Sequence, residues 1–451
     1  MAATAARPGY AQEIVAIARL AVPVAASRIG MLLLVLVDAA MVGRYDSAEL
    51  AYFGLGNALH LVLLLIGIGM LVGTAVLSAQ ARGAGEEQSC GRVWRVALLY
   101  ALVLGGGFAL LTLAGEPALT LTGQAPAMAA GGGQVLLLAG LGLPGALVFV
   151  CSTLFLEALG RPRPGVAAML AANVINFLLN LLLIGGGLGL PAMGAAGAAL
   201  ATSVARSVAA LGLVLYILTL ADRQRWGIVG PLVGAMTIGR KLRRFGYAIG
   251  LTQGAESAAF GGLVLLAGLV SPEAVAGYQI AISAVAMAFM GAIGTASATG
   301  VRVGLAVGRQ DQAGLRRAGF AGLIAIVLFM AVAGSLLLSL PRTVGGLFTS
   351  DPLVLAVAVP TLLVGGLMLP TDGMQAVLMG ALRGLGDVWV PLALHSAAFF
   401  LLMLPLAAWL GLGLGWGAPG LMAGAWVGVS LAALLLGLRF NHISRRPVRR
   451  L

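Results

Sequence analysis

The chain is poor in most of what a soluble enzyme relies on. Charged residues make up 9% of its 451 positions and aromatic residues 6%, with two cysteines, three histidines and 15 acidic residues. Lysine occurs once, at Lys241, and leucine follows it. No Gly-Lys-Ser/Thr phosphate loop can therefore form, which excludes nucleotide hydrolysis of that kind. His60, His395 and His442 stand apart, without a His-Glu-x-x-His pattern or a cysteine cluster to hold metal. No serine sits in a nucleophile-elbow pattern. Cys90 falls in an expected cytoplasmic loop and Cys151 inside an apolar run, so no structural disulfide is expected. A cleavable leader is not expected either: Arg7 and Glu13 precede the first apolar run, and no small-residue cleavage site follows it. The reading is a non-enzyme without a bound cofactor.

What is abundant is apolar length. Hydrophobic residues make up 60% of the chain, and 67 glycines suit close packing of helices in lipid, although glycine number alone does not separate packing from compositional bias. Apolar segments of about 20 residues recur throughout, without the alternation of a membrane barrel. The expectation is an all-α polytopic membrane protein with twelve spans. They lie at roughly 17–43, 50–80, 93–114, 130–157, 164–187, 192–219, 245–270, 276–301, 315–338, 353–381, 388–411 and 416–438.

The chain repeats itself. Gly140-Leu-Gly-Leu-Pro144 returns 226 residues on as Gly366-Leu-Met-Leu-Pro370, and Gly194-Ala-Ala-Gly197 returns at nearly the same offset as Gly417-Ala-Pro-Gly420. Near-constant spacing over several places divides the chain into an N-lobe, 1–221, a polar cytoplasmic linker, 222–244, and a C-lobe, 245–451. Six spans per half make the repeats parallel, about an axis along the membrane normal. Arg44 and Arg342 fall in loops on one face and Arg28 and Arg206 within spans; nearly all other basic residues lie on the opposite face, which places both termini in the cytoplasm. The net charge of +12 is scattered in those short loops and is read as orientation signal, not as a nucleic-acid surface. The runs Arg240 to Arg244 and Arg445 to Arg450 could also meet anionic lipid headgroups.

Three acids lie well inside spans: Asp38, Glu256 and Asp372. A carboxylate there costs roughly 2.5–3.5 kcal/mol on insertion scales, so each is a functional candidate. Gln253 and Phe260 share a helix face with Glu256, and Gln375 and Met379 share one with Asp372. Gln279, Ser283 and Met287 form a third stripe of the same half. Packing could gather these around a cavity with two carboxylates, fit for cation binding or proton exchange. No arginine lies mid-span in that half to neutralise them. In the first half, Asn173, Asn176 and Asn180 form one amide face, with Thr202 and Ser203 at similar depth to Asp38. Acid, amide and hydroxyl are hard oxygen donors suited to a proton relay or a sodium ion; asparagine also serves simply as interhelical glue. Glu157 and Arg161 read as a structural i,i+4 pair.

Asp38-Ala-Ala-Met-Val-Gly43, Gly160-Arg-Pro-Arg-Pro164 with the asparagine stripe after it, and Leu382-Arg-Gly-Leu-Gly-Asp387 together resemble the multidrug and toxic compound extrusion (MATE) transporters, over essentially the whole chain. The resemblance implies a V-shaped pair of six-helix pseudo-symmetric lobes that export organic cations against an inward flow of protons or sodium ions. It implies that Glu256 and Asp372 are the C-lobe coupling acids of the NorM branch, with sodium a candidate ligand there. By the same likeness Asp38, Asn176, Asn180 and Thr202 form the N-lobe coupling cluster. Asn180 stands where the archaeal and DinF-like branch typically has an aspartate, which favours the NorM branch. Gln253, Gln279, Ser283, Met287, Gln375 and Asn173 are the candidate cavity residues. The expected setting is a bacterial inner membrane, with a monomeric carrier that takes small organic cations and no nucleic acid. The alternative is a flippase or exporter of a lipid-linked or other metabolite in the same superfamily. Cavities of that kind are lined with arginine, and only Arg28 and Arg206 lie within spans here.

Overall fold

A computed structural model of the chain describes residues 9–187, 189–232, 234–447 and 450; Arg7 and Arg449, named above, lie outside them. Twelve apolar helical segments follow one another: α1 Tyr10–Tyr45, α2 Ser47–Gly83, α3 Glu87–Thr112, α4 Pro126–Ala158, α5 Arg163–Leu183, α6 Gly194–Leu218, α7 Ala235–Gly268, α8 Pro272–Gly308, α9 Gln312–Ser339, α10 Pro352–Leu385, α11 Trp389–Gly413 and α12 Gly417–Ile443. Each matches one expected span, usually with extra turns at its ends. Among the described residues the only β pairing is an isolated bridge between Gly187 and Leu190.

Local chemistry sets the helix ends. Asp46 accepts from the backbone N–H of Ala48 at 2.6 Å and of Glu49 at 3.2 Å, starting α2 directly after α1. Ser271 caps α8 through the Ala274 N–H at 3.1 Å, and Asp351 caps α10 through Leu353 at 2.9 Å, each followed by proline. α10 stops at Gly386, whose φ of 91° ends the helix in a left-handed turn. α11 carries two π-helical stretches, Ala398–Met403 and Trp409–Gly413.

The twin proline motifs behave differently. α4 bends by 43° between Leu141 and Leu143, next to Pro144. Proline lacks the N–H that would bond four residues back, and carbonyls near the bend need other donors. The Ser203 hydroxyl of α6 donates to the Leu138 carbonyl at 2.7 Å. Ser203, expected beside the polar cluster, thus also serves the bend. Pro370 lies inside α10, which runs on without a break.

The chain divides into two compact units, Met1–Ala25 with Leu251–Leu451, and Ala26–Gly250. We call these the C-terminal and N-terminal units. The divisions fall inside α1 and α7. In the C-terminal unit the start of α1 is tied to α8 by a two-pronged ion pair, with Arg302 donating to Glu13 at 2.7 and 2.6 Å. α8 and α10 cross so closely that a Cβ on Gly380 would sit 2.3 Å from the Ala296 carbonyl oxygen. In the N-terminal unit Trp94 stacks on Phe155 at 5.6 Å and donates to Ser152 at 3.3 Å. Outward faces stay apolar: Leu99, Val103 and Leu110 of α3 are exposed, as lipid contact requires.

The expected linker 222–244 is structured. α7 begins inside it, at Ala235. Before that, Trp226 and Ile228 are buried in the core of the N-terminal unit, and the Gly91 N–H donates to the Trp226 carbonyl at 2.8 Å. Arg161 grips Asp222 with two bonds of 2.9 and 2.6 Å, and the Trp226 indole donates to the same carboxylate at 2.7 Å. Arg225 forms a further ion pair with Glu87.

The expected Glu157–Arg161 pair is therefore corrected. Gly160 adopts φ of 73°, α4 ends before it, and the Arg161 N–H closes on the Leu156 carbonyl at 2.8 Å. Arg161 leaves the helix, so i,i+4 geometry never arises. Glu157 instead faces Arg28 at 3.7 Å.

The Arg161 hydrogen bonds hold the Asp222 carboxyl below the usual carboxylate range. Their contribution is present at neutral pH, and is lost as pH falls from the ordinary carboxylate value through the lower folded one. The pair is partly exposed, so Asp222→Asn should cost up to about 1 kcal/mol. The expected result is faster amide exchange over 222–230 at pH 7, with the difference from wild type vanishing at acid pH. Equal exchange at pH 7 would show that the pair does not hold the linker.

Candidate functional site

In the N-terminal unit, α1, α5 and α6 bring four of the expected side chains into one closed cluster. Asp38 is 2% exposed, and Asn176 and Asn180 are fully buried. Asp38 Oδ1 accepts from Asn176 at 2.9 Å and from Asn180 at 2.7 Å, while Oδ2 accepts from the Thr202 hydroxyl at 2.5 Å. Asn176 also donates to Thr202 Oγ1 at 2.9 Å, and Asn180 to Asn176 Oδ1 at 3.3 Å. The spacing of α5 explains the convergence, since residues four apart share a helix face. The cluster is satisfied with one exception: Asn180 Oδ1 is buried and has no hydrogen-bond partner among the described residues. That free acceptor, beside a carboxylate, fits a proton donor or a small hard cation.

Asn173 belongs elsewhere. Its amide donates to the Gly30 carbonyl at 3.0 Å and the Met169 carbonyl at 2.9 Å, fastening α5 to α1. Arg206, buried on α6, donates to His60 Nε2 at 3.1 Å and lies within electrostatic reach of Asp38. Sequence separation hid that pair: α2 and α6 meet only in the folded unit.

In the C-terminal unit the acids are arranged differently. Asp372 is 5% exposed on α10, and Glu256 is half-buried on α7. Glu256 lies within electrostatic reach of Asp372. Neither carboxylate accepts a hydrogen bond among the described residues. No arginine was expected mid-span in this half, and the one that acts on these acids comes from the end of α10. Arg383 lies within electrostatic reach of Glu256, though no ion pair joins them. It stands in the last turn of α10, one turn before Gly386, and is half-buried rather than turned out to water. The acid that ends this motif, Asp387, is used structurally and accepts from Arg439 at 2.8 Å.

Gln375, fully inside α10, donates to His395 Nε2 at 2.6 Å, and the His395 ring lies 4.0 Å from that of Phe399. Phe399 meets Phe260 edge-on at 6.0 Å. Gln375 Oε1 and His395 Nδ1 are buried without partners among the described residues. His395 looked isolated in sequence, and the first π-helical stretch of α11 begins just after it. The other expected cavity residues do not join this group. Gln253 is half-buried, Gln279 and Met287 are exposed, and the Ser283 hydroxyl turns back onto the Gln279 carbonyl at 2.7 Å.

The MatE family profile matches residues 23–182 and 248–409, one stretch in each half of the chain. The chain belongs to the MatE family. Its two profile stretches contain Asp38, Asn176 and Asn180 in one case and Glu256, Asp372 and His395 in the other. This MatE chain is 38% identical over 435 residues to the "Probable multidrug resistance protein NorM" of Caulobacter vibrioides, covering 96% of this chain and 92% of that one. It is 31% identical over 449 residues to the "Multidrug resistance protein PmpM" of Pseudomonas aeruginosa, covering 95% and 91%. Among solved structures, the eukaryotic MATE transporter AtDTX14 superposes with a TM-score of 0.88 at 22% identity, covering 97% and 98% of the two chains. The chain is thus a multi-pass, NorM-like member of the MatE family.

Thr202→Val keeps the side-chain size and removes the donor to Asp38 Oδ2. The loss of two hydrogen bonds, one to the buried Asp38 carboxylate and one from Asn176, should destabilise the protein by about 1–3 kcal/mol. This should appear as a lowered unfolding temperature of the detergent-solubilised protein. An unchanged temperature would show that the cluster does not contribute to the stability of the N-terminal unit.

Proposed function

We propose that this protein is a secondary active multidrug exporter of the bacterial inner membrane, moving organic cations outward in exchange for protons or sodium ions. The observation that carries the reading is the unpaired state of Glu256 and Asp372. Two carboxylates that lie close together without hydrogen-bond donors are poised to take up a cation. Nearby, Arg383 is a fixed positive charge that tempers the site. The names of relatives, which include multidrug resistance, support the export of drugs.

In the proposed cycle, the organic cation is held by the charge of Glu256 and Asp372. Ion uptake from outside neutralises that charge and releases the cargo outward. Asp38 takes part in the N-terminal unit, where Asn176, Asn180 and Thr202 hold its carboxylate and Asn180 Oδ1 supplies a further ligand atom. A proton needs only the acids; a sodium ion would use Glu256 and Asp372 as oxygen ligands. One charge moving through 100 mV supplies about 2.3 kcal/mol, enough for a concentration ratio of a few tens. The protein works as a monomer with both termini in the cytoplasm.

The test is uptake of a cationic dye by inside-out vesicles, with pH and sodium gradients imposed separately. Uptake driven by one of them identifies the coupling ion. Asp372→Asn and Glu256→Gln should abolish it, and Asp38→Asn should lower it at least ten-fold, with each variant present in the membrane at wild-type amounts. Wild-type rates in Asp372→Asn would end the coupling scheme. Uptake driven by neither ion would turn the reading toward a lipid-linked or anionic cargo.

A further inference from the structure

A basic pocket lies in the C-terminal unit, and the transport reading does not use the residues that line it. A pocket of about 820 Å³ lies where the loop between α8 and α9 meets the tail after α12. Arg309, Arg316 and Arg445 line it, together with Gln310, Gln312 and a single acid, Asp311. That acid is already engaged: Asp311 Oδ1 accepts from the Gly314 N–H at 2.9 Å as the cap of α9. No carboxylate among the described residues pairs with the three arginines.

The pocket is more than a run of surface charge, because its walls are fastened. Gln312 donates to the tail carbonyls of Ser444 at 3.2 Å and Arg446 at 3.1 Å, and Arg450 donates to the Gly308 carbonyl at 3.3 Å. The Arg316 guanidinium lies over the Phe320 ring, 5.8 Å from its centroid, which fixes its direction. Gln310 takes φ of 57°, unusual for a side chain other than glycine, as the loop turns around the pocket. Three guanidinium groups lining one pocket, none of them paired with a carboxylate among the described residues, suit a phosphate oxyanion.

Phe320 also opens a second space. A groove of about 490 Å³ runs between α9, α10 and α12, and is lined largely by apolar side chains such as Leu323, Met374, Leu378 and Leu434. Arg316 of the pocket and Phe320 of the groove are one helical turn apart on α9. One turn beyond Phe320 on α9, Ile324 is exposed. The geometry points to one ligand spanning both spaces: an anionic phospholipid whose headgroup phosphate binds Arg309, Arg316 and Arg445 and whose acyl chain lies in the groove beside α9. A soluble phosphate could use the basic pocket, but it would leave the adjoining apolar groove unused. The charge of the pocket and the apolarity of the groove together favour the lipid.

The experiment uses full-length, delipidated protein in detergent, with tail-labelled phosphatidylglycerol and phosphatidylcholine of identical chains as probes. Phosphatidylglycerol should bind at least ten-fold tighter than phosphatidylcholine and should raise the unfolding temperature. Combining Arg309→Gln, Arg316→Gln and Arg445→Gln should abolish both effects. The control, Arg240→Gln with Arg243→Gln and Arg244→Gln, removes three exposed charges from the start of α7 and should weaken phosphatidylglycerol binding less than two-fold. Gly437→Leu, beside Leu378 in the groove, should weaken phosphatidylglycerol binding while the protein still elutes as a folded species. Equal losses in the two triple variants would mean diffuse surface attraction and overturn the site. Glycerol 3-phosphate binding as tightly as the lipid, with Gly437→Leu without effect, would assign the pocket to a soluble phosphate and overturn the lipid.

Discussion

Lipid offers no hydrogen bonds, and every polar group placed in it must find a partner within the chain. That constraint makes the backbone helical throughout, and it also explains the local departures. At the bend of α4, Ser203 supplies a donor to a carbonyl near Pro144. Around Asp38, two amides and a hydroxyl meet both carboxylate oxygens. Some buried groups among the described residues lack a partner: Asn180 Oδ1, Gln375 Oε1 and His395 Nδ1 in the polar groups described above, and Thr74 Oγ1, Ser78 Oγ, Tyr278 Oη and Thr299 Oγ1 elsewhere.

The two halves come from one design but solve the problem of a buried acid in opposite ways. In the N-terminal unit the acid is enclosed by neutral donors, with Arg206 and His60 bonded to each other nearby. In the C-terminal unit two acids share a neighbourhood without donors, and Arg383 acts on Glu256 from the end of the same helix that carries Asp372. The twin proline motifs diverge in the same manner: one stands at a 43° bend and the other within a continuous helix. A repeat in sequence therefore does not guarantee a repeat in geometry. At the bend, Ser203 of a neighbouring helix donates to the Leu138 carbonyl, whereas beside Pro370 the Thr371 hydroxyl donates to the Met368 carbonyl of its own helix.

Basic residues have at least three distinct uses. Some are consumed by ion pairs that fasten loops, as Arg161 does for the linker and Arg439 for Asp387. Some, such as Arg240 and Arg243 at the start of α7, remain exposed, as orientation signals do. A third set, around the α8–α9 loop, lines a pocket whose wall Gln312 ties to the tail. Composition cannot separate these classes, because they differ only in which carboxylates and carbonyls the fold brings near.

The sequence by itself determined the helical class, the number of spans, the two-fold repeat and the residues of the Asp38 cluster. Each follows from information local to the chain: apolar length, recurring spacing, and the three- and four-residue periods that put Asn176 and Asn180 on one face. It also singled out Glu256 and Asp372, because carboxylates are conspicuous in apolar runs. Tertiary structure alone decided that Asn173 binds the Gly30 carbonyl, that Arg161 turns to Asp222, and that Arg383 faces inward toward Glu256. It alone paired Gln375 with His395 and Arg206 with His60. These contacts join helices far apart in sequence, and their geometry depends on where each helix ends and how it is rotated. A left-handed glycine such as Gly160 can redirect a side chain entirely, and one-dimensional periodicity carries no record of that.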